Sequence, residues 1–262
     1  MSNYTTIKTA RDERGVATVT LARPEVRNAM NGTMWVELRD AFAKIATDPS
    51  VRIAVLTGEG TTFCSGGDLR HQGRQQGANR ADRITEAHKL AHLLQELDAL
   101  PKPLIARVNG SAFAGGTSLV AVADVTIGTT MSQFAITEAR IGMVPGMISS
   151  YVTRRVGISN ARRLFLTARQ FSGVEAVELG LLHRAVPSEE LDAAVEEEIA
   201  LVLSCAPGAL ATIKQLLAYV STHQQAENFA YAVDRVVEMW GSPEAKEGVA
   251  SFLEKRKPSW AQ

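Results

Sequence analysis

Residues 51–69, VRIAVLTGEGTTFCSGGDL, and residues 104–119, LIARVNGSAFAGGTSL, share one design. Each begins as a short apolar run, passes into glycine, alanine and other small residues, and arrives at a stretch able to start a helix. Short continuous apolar runs bounded by turn residues predict buried strands. Upstream, 4–10 and 16–22 are rich in Thr, Val and Ile, and the polar RDERG between them predicts a hairpin turn. Met34, Leu38, Phe42 and Ile45 recur at helical spacing, with Asn31 as a cap and Asp48-Pro49 as a stop. Downstream, 70–82 is polar and is expected to be the most mobile segment, and 84–100 reads as a helix ended by Pro101-Lys102-Pro103. A small-residue helix at 117–123, short strands at 125–128 and 133–136, and a helix beginning at 145–156 continue the alternation. Strand and helix alternate from residue 16 to about 170, which predicts an α/β core.

From Ser159 onward no further strand is expected. The segments 188–204, 208–221, 226–240 and 243–255 read as successive helices, the last opened by Ser242 as cap and Pro243 in the first turn. The expected organisation is an α/β core over 1–187 and a helical region over 188–262, with no composition-shifted linker between them.

The 262 residues carry 28 Lys+Arg against 28 Asp+Glu, so no bulk charge draws the chain to nucleic acid or an anionic membrane. With 45% hydrophobic residues, a sizeable core is available. Cys64 and Cys205 are too few to staple such a fold and match no zinc pattern. No apolar run approaches the roughly 18 residues of a membrane span, and the N-terminal MSNYTTIKTARDERG lacks an apolar signal core. The expectation is a soluble, cytoplasmic protein without a metal.

Small residues in the two glycine stretches let a ligand approach the backbone, and amides at a helix start can donate to a negative oxygen. Two such amides from separate loops would form an oxyanion hole for a thioester enolate. Taken singly, either loop reads as readily as a tight turn or a close packing contact. Neither fits a phosphate loop: GxxxxGK[ST] is absent, and GEGTTF lacks the third glycine of GxGxxG. Glu138 follows the apolar FAIT and precedes ARIGMVPG, surroundings that desolvate a carboxylate and raise its pKa toward the range useful for proton transfer. The same pattern also describes a surface glutamate capping the next helix. His88 and His92 sit four apart without the glutamate of HExxH, no GxSxG elbow occurs, and Cys64 reads as a small core residue.

Six ordered blocks then resemble the crotonase (enoyl-CoA hydratase/isomerase) family: ARPEVRNAMN (22–31), VLTGEGTTFCSGGDL (55–69), KPLIARVNGSAFAGG (102–116), ADVTIG (123–128), FAITEARIGMVPG (134–146) and LTARQFSGVEAVELGLLHRAV (166–186). The terminal EGVASFLEKRKPSW fits as well. The resemblance implies a spiral of repeated ββα units, C-terminal helices that mediate trimerisation, a homotrimer or homohexamer, and acyl-CoA thioesters as substrates. Coenzyme A would enter as part of the substrate, with no separate cofactor. It implies oxyanion donors at Gly67 and Gly115, and CoA along Arg27, Asn28, Ala29, Asp68 and Leu69. Its phosphates would be met by basic groups such as Arg23 and, from a neighbouring subunit, Lys255 or Lys257.

The catalytic pair departs from the family pattern. Family hydratases often carry two glutamates; the second matches Glu138, but Ser118 stands at the position of the first. Serine cannot exchange a proton as a carboxylate does, yet it can hydrogen-bond water or substrate. TEARIGMVPGMISSYV (137–152) resembles most the single-glutamate, methylglutaconyl-CoA hydratase-like members. A hydratase, a double-bond isomerase and a non-catalytic CoA-binding subunit are the three readings, with the hydratase preferred. The polar segment 70–82 is expected to help form the acyl pocket.

Overall fold

A computed structural model describes residues 4–261. The chain opens with β1 (Ile7–Arg11) and β2 (Val16–Leu21), an antiparallel hairpin as expected, then α1 (Gly32–Thr47). Asn31 caps α1 by accepting from the Met34 amide at 2.9 Å, and Met34, Trp35, Leu38, Ala41, Phe42 and Ile45 form its buried stripe. The repeating part follows: β3 (Ile53–Gly58), β4 (Thr62–Cys64), α2 (Leu69–Gln76) and α3 (Arg80–Asp98); β5 (Leu104–Val108), β6 (Ser111–Phe113) and α4 (Gly115–Ala121); β7 (Val125–Thr129), β8 (Gln133–Ala135) and α5 (Ser149–Thr167). Then come β9 (Phe171–Ser172), α6 (Gly173–Glu178), β10 (Arg184–Val186), α7 (Leu191–Leu203), α8 (Pro207–Val220), α9 (Gln225–Trp240) and α10 (Pro243–Leu253).

Each repeat places its first strand in one sheet and its second in another. The larger sheet has the order β1-β2-β3-β5-β7-β10 and the smaller β4-β6-β8-β9. Equivalent strands of successive repeats pair in parallel, β3 with β5, β5 with β7, β4 with β6 and β6 with β8. This advance of one strand per repeat in both sheets is the spiral. Alternation along β3 divides the interior: Ala54 and Leu56 face the main core, while Ile53 and Val55 join Ile105, Ile127 and Val186 beneath α7, which covers them with Leu191, Ala194, Val195 and Ile199.

One expectation needs correction, and one segment takes a conformation that its polar composition left open. Strands do not cease after Ser159: β9 pairs with β8, and β10 extends the large sheet beside β7. At two and three residues, both are too short to show a period. The polar stretch after Asp68 is helical, because the Asp68 carboxylate accepts from the amides of Arg70 and His71 and caps α2. Among the described residues no single helix is long and apolar enough to cross a membrane; the bent pair over 188–220 passes that test by length and composition, but α7 spends its apolar face on the large sheet.

Candidate active site

The site forms where the two small-residue stretches meet. Residues 27–30 are laced to 65–68: Ser65 N donates to Arg27 O at 3.0 Å, Met30 N to Gly66 O at 2.7 Å, and Asp68 N to Met30 O at 2.8 Å. Arg27 and Asn28 both take left-handed backbone angles, φ 53° and 55°. Asn28, fully buried, pins them by donating to Glu59 O and Thr62 O and accepting from Arg23 N. The expected CoA positions Arg27, Asn28, Ala29, Asp68 and Leu69 are therefore neighbours in space.

The second stretch packs directly on the first. A Cβ on Gly66 would lie 2.8 Å from Phe113 O, and one on Gly116 would collide with the Cys64 carbonyl oxygen, so only glycine permits this approach. The contact brings Gly67 and Gly115 to the wall of one cavity of about 450 Å³. Gly115 is the first residue of α4, where helix geometry leaves an amide free, and neither glycine amide is taken up by a hydrogen bond among the described residues.

Glu138 lines the same cavity from a short 3-10 turn, Glu138–Ile141, closed by Gly142 at φ 73°. Its Oε2 is buried without a hydrogen-bond partner. Burial pushes the carboxyl above its ordinary value, partly offset by the amides of Glu138 and Thr137. Leu69, Ile141, Met143, Val144 and Ile148 supply apolar lining.

Two residues expected at the ligand turn inward. Ser118 is fully buried, does not line the cavity, and donates to Gly115 O at 2.6 Å, so the expectation that it contacts substrate is corrected. One turn into α4, its side chain faces the core and its hydroxyl satisfies a backbone carbonyl. Arg23 turns inward as well: its Nη1 donates to Ala29 O at 2.6 Å and to Asp68 Oδ2 at 3.1 Å, with the side chain largely out of solvent. Cys64 belongs to the core, and burial pushes its thiol up to about 12. Among the described residues no three His, Cys, Asp or Glu side chains gather as metal ligands.

Sequence reading missed a polar group on the cavity wall. His71 Nε2 lies 2.8 Å from Glu86 Oε1, and Lys89 donates to Glu86 Oε2 at 2.6 Å. Gln72 and the indole of Trp35 complete this wall, each with a buried polar atom that lacks a partner, Gln72 Oε1 and Trp35 Nε1. The signal available was Asp68 as an N-cap, which would have made 69–76 a helix and placed Leu69, His71 and Gln72 on its first turn.

The profile of the enoyl-CoA hydratase/isomerase family matches residues 11–262. The structure is similar to that of Pseudomonas aeruginosa AtuE, at 37% identity and a TM-score of 0.95 over 98% of this chain and 100% of that one. It is similar also to an enoyl-CoA hydratase of Shewanella pealeana, at 31% identity and a TM-score of 0.94 over 98% and 97% of the two chains. A Thermus thermophilus protein, named provisionally as an enoyl-CoA hydratase, is 34% identical over 251 residues, 94% of this chain and 98% of its own.

Proposed function

The chain belongs to the enoyl-CoA hydratase/isomerase family, and from that premise we propose that it adds water to an α,β-unsaturated acyl-CoA thioester, with Glu138 as the proton-transfer group and Gly67 and Gly115 as the oxyanion hole. One observation carries this reading: a buried carboxylate oxygen without a partner shares a cavity with two unused backbone amides. The thioester oxygen, placed about 2.7–3.1 Å from both amides, would receive the negative charge that develops as the enolate forms. Glu138 takes a proton from water as the oxygen attacks the β-carbon, and its raised pKa matches it to that task. The CoA moiety is proposed to lie along Arg27, Ala29, Asp68 and Leu69, with no cofactor beyond the coenzyme carried by the substrate.

The preferred acyl group is a branched or glutaconyl-like one; the cations Arg83 and Arg140 on the cavity wall support a substrate bearing a second carboxylate. Isomerisation of a 3-enoyl thioester is the second reading, favoured by the removal of Ser118 from the cavity, since one carboxylate suffices to move a proton between the α- and γ-carbons. A passive CoA-binding subunit would need neither Glu138 nor the two amides. Crotonyl-CoA, 3-methylglutaconyl-CoA and a 3-enoyl-CoA, each incubated with the protein, separate these readings by product mass. A gain of one water marks hydration, an unchanged mass with a shifted double bond marks isomerisation, and no change with all three supports the passive binder.

A further inference from the structure

Hydration moves two protons, one off water and one onto the α-carbon, and the site so far supplies one carrier. Ser118 is excluded by its burial and its bond to Gly115 O. The titratable side chains on the cavity wall are His71, Arg83, Glu86, Glu138 and Arg140. The two arginines do not release protons near neutral pH. Glu86 is held as a carboxylate: burial pushes it up, but the hydrogen bonds from Lys89 and His71 bring it below its ordinary value. His71 remains. Its Nε2 is fixed by Glu86 at 2.8 Å, its ring meets the Trp35 indole edge to face at 5.4 Å, and its Nδ1 carries no hydrogen bond among the described residues. The backbone of α1 closes around the pair, where a Cβ on Gly32 would lie 2.8 Å from Glu86 Oε1 and 3.2 Å from His71 Cε1. His71 also lies one helical turn beyond Gly67, in the helix whose cap is Asp68.

The geometry points to His71, oriented by Glu86, as the second proton carrier of the reaction, taking the part that a first-position glutamate would play. This rests on the hydratase reading. In the hydration direction, Glu138 accepts a proton from water as the oxygen bonds to the β-carbon. The electron pair of the C=C bond shifts to give the thioester enolate, and the imidazolium of His71 delivers its proton to the α-carbon. Glu138 then returns its proton through solvent to His71, so one water is consumed and both groups are restored. Dehydration runs the same steps backward, with His71 as base. Glu86 is a positioning residue: its hydrogen bond at Nε2 holds the ring and leaves Nδ1 as the free nitrogen. The other charges about His71 are Lys89 and Arg83 on α3, Asp68 at the start of α2, Arg70 and Arg74 along α2, and Arg140 and Glu138 across the cavity lining.

The test is the pH profile of kcat for hydration of the enoyl thioester that the wild-type protein turns over. Glu138 must be ionised and His71 protonated, so the wild type should show an acidic and an alkaline limb. His71→Gln should lose the alkaline limb and lower kcat roughly 10²–10³-fold with little change in KM. Glu86→Gln should lower kcat less than His71→Gln does, again with little change in KM, and Glu86→Asp should restore part of that loss, because Glu86 acts by holding the ring. A wild-type profile with no alkaline limb, or a His71→Gln profile that retains it, overturns the inference. Should His71→Gln not fold, Glu86→Gln decides: a fall in kcat at unchanged KM that Glu86→Asp partly restores supports the dyad, and an unchanged kcat overturns it. Failure of the hydratase reading is distinct, since the wild type would then hydrate none of the thioesters.

Discussion

Glu138 joins the chemistry proposed for it to a cost to the fold. A carboxylate whose folded pKa lies above its ordinary value of 4.5 is stabilising to the fold only while protonated. That contribution is complete below the ordinary value and is lost as pH rises through the raised one. At neutral pH the buried carboxyl is therefore a burden. Glu138→Gln should lower kcat roughly 10²–10⁴-fold, yet raise the melting temperature at pH 7, with the gain vanishing toward pH 4; thermal melts at both pH values beside turnover check this pairing. Ser118→Ala removes one internal hydrogen bond, worth about 1 kcal/mol, and should leave turnover within about tenfold. A larger loss of turnover in Ser118→Ala than in Glu138→Gln would reverse the ranking of the two positions. Glu138 was legible because its apolar flanks are sequence neighbours. His71 and Glu86 were not, because the pair is made by two helices crossing, and each residue alone resembles any polar residue on a solvated face.

At the scale of elements, the adjacent glycines at the start of α4 have different reasons to be glycine. A Cβ on Gly115 meets only the flexible Met30 methyl, whereas one on Gly116 meets the backbone of Cys64. Gly116→Ala should thus destabilise the protein by about 1–3 kcal/mol, as overpacking does. Gly115→Val should stay folded and bind free CoA while losing turnover roughly 10²–10³-fold, as loss of an oxyanion donor does. Denaturant melts and CoA titration of the two variants distinguish these outcomes, and normal turnover in a folded Gly115→Val would place the donor elsewhere. The sequence showed the long elements well: the stripe of α1, the apolar β3 and β5, and the four last helices. What it hid were elements made by partners. The strands β9 and β10 hold too few residues to carry a period, and α2 has no buried residue, so its helix is announced by a cap and not by an apolar face.

Over the whole molecule, the helices after Ser188 leave large apolar side chains uncovered. Leu201, Leu217, Phe229, Val237, Trp240 and Phe252 are exposed, while Leu216 is half-buried. This surface is held firmly to the core, since Arg52 donates to the carbonyls of Leu203, Cys205 and Trp260, and Lys214 bridges to Asp124 at 2.5 Å. An anchored apolar face of this kind fits burial against further copies of the chain. Light scattering at micromolar concentration should give a trimer or hexamer, and a monomeric mass would count against assembly through these helices.

Hydration with Glu138 as its base is the claim on which the rest depends, and isotope transfer tests it most directly. Wild-type and Glu138→Gln protein would each be given an α,β-unsaturated acyl-CoA in water enriched in heavy oxygen, and the product hydroxyl read by mass. The expected result is label on the β-carbon hydroxyl, formed by the wild type and roughly 10²–10⁴-fold more slowly by Glu138→Gln. An unlabelled product with a displaced double bond, or labelling at equal rates by both proteins, would contradict the account.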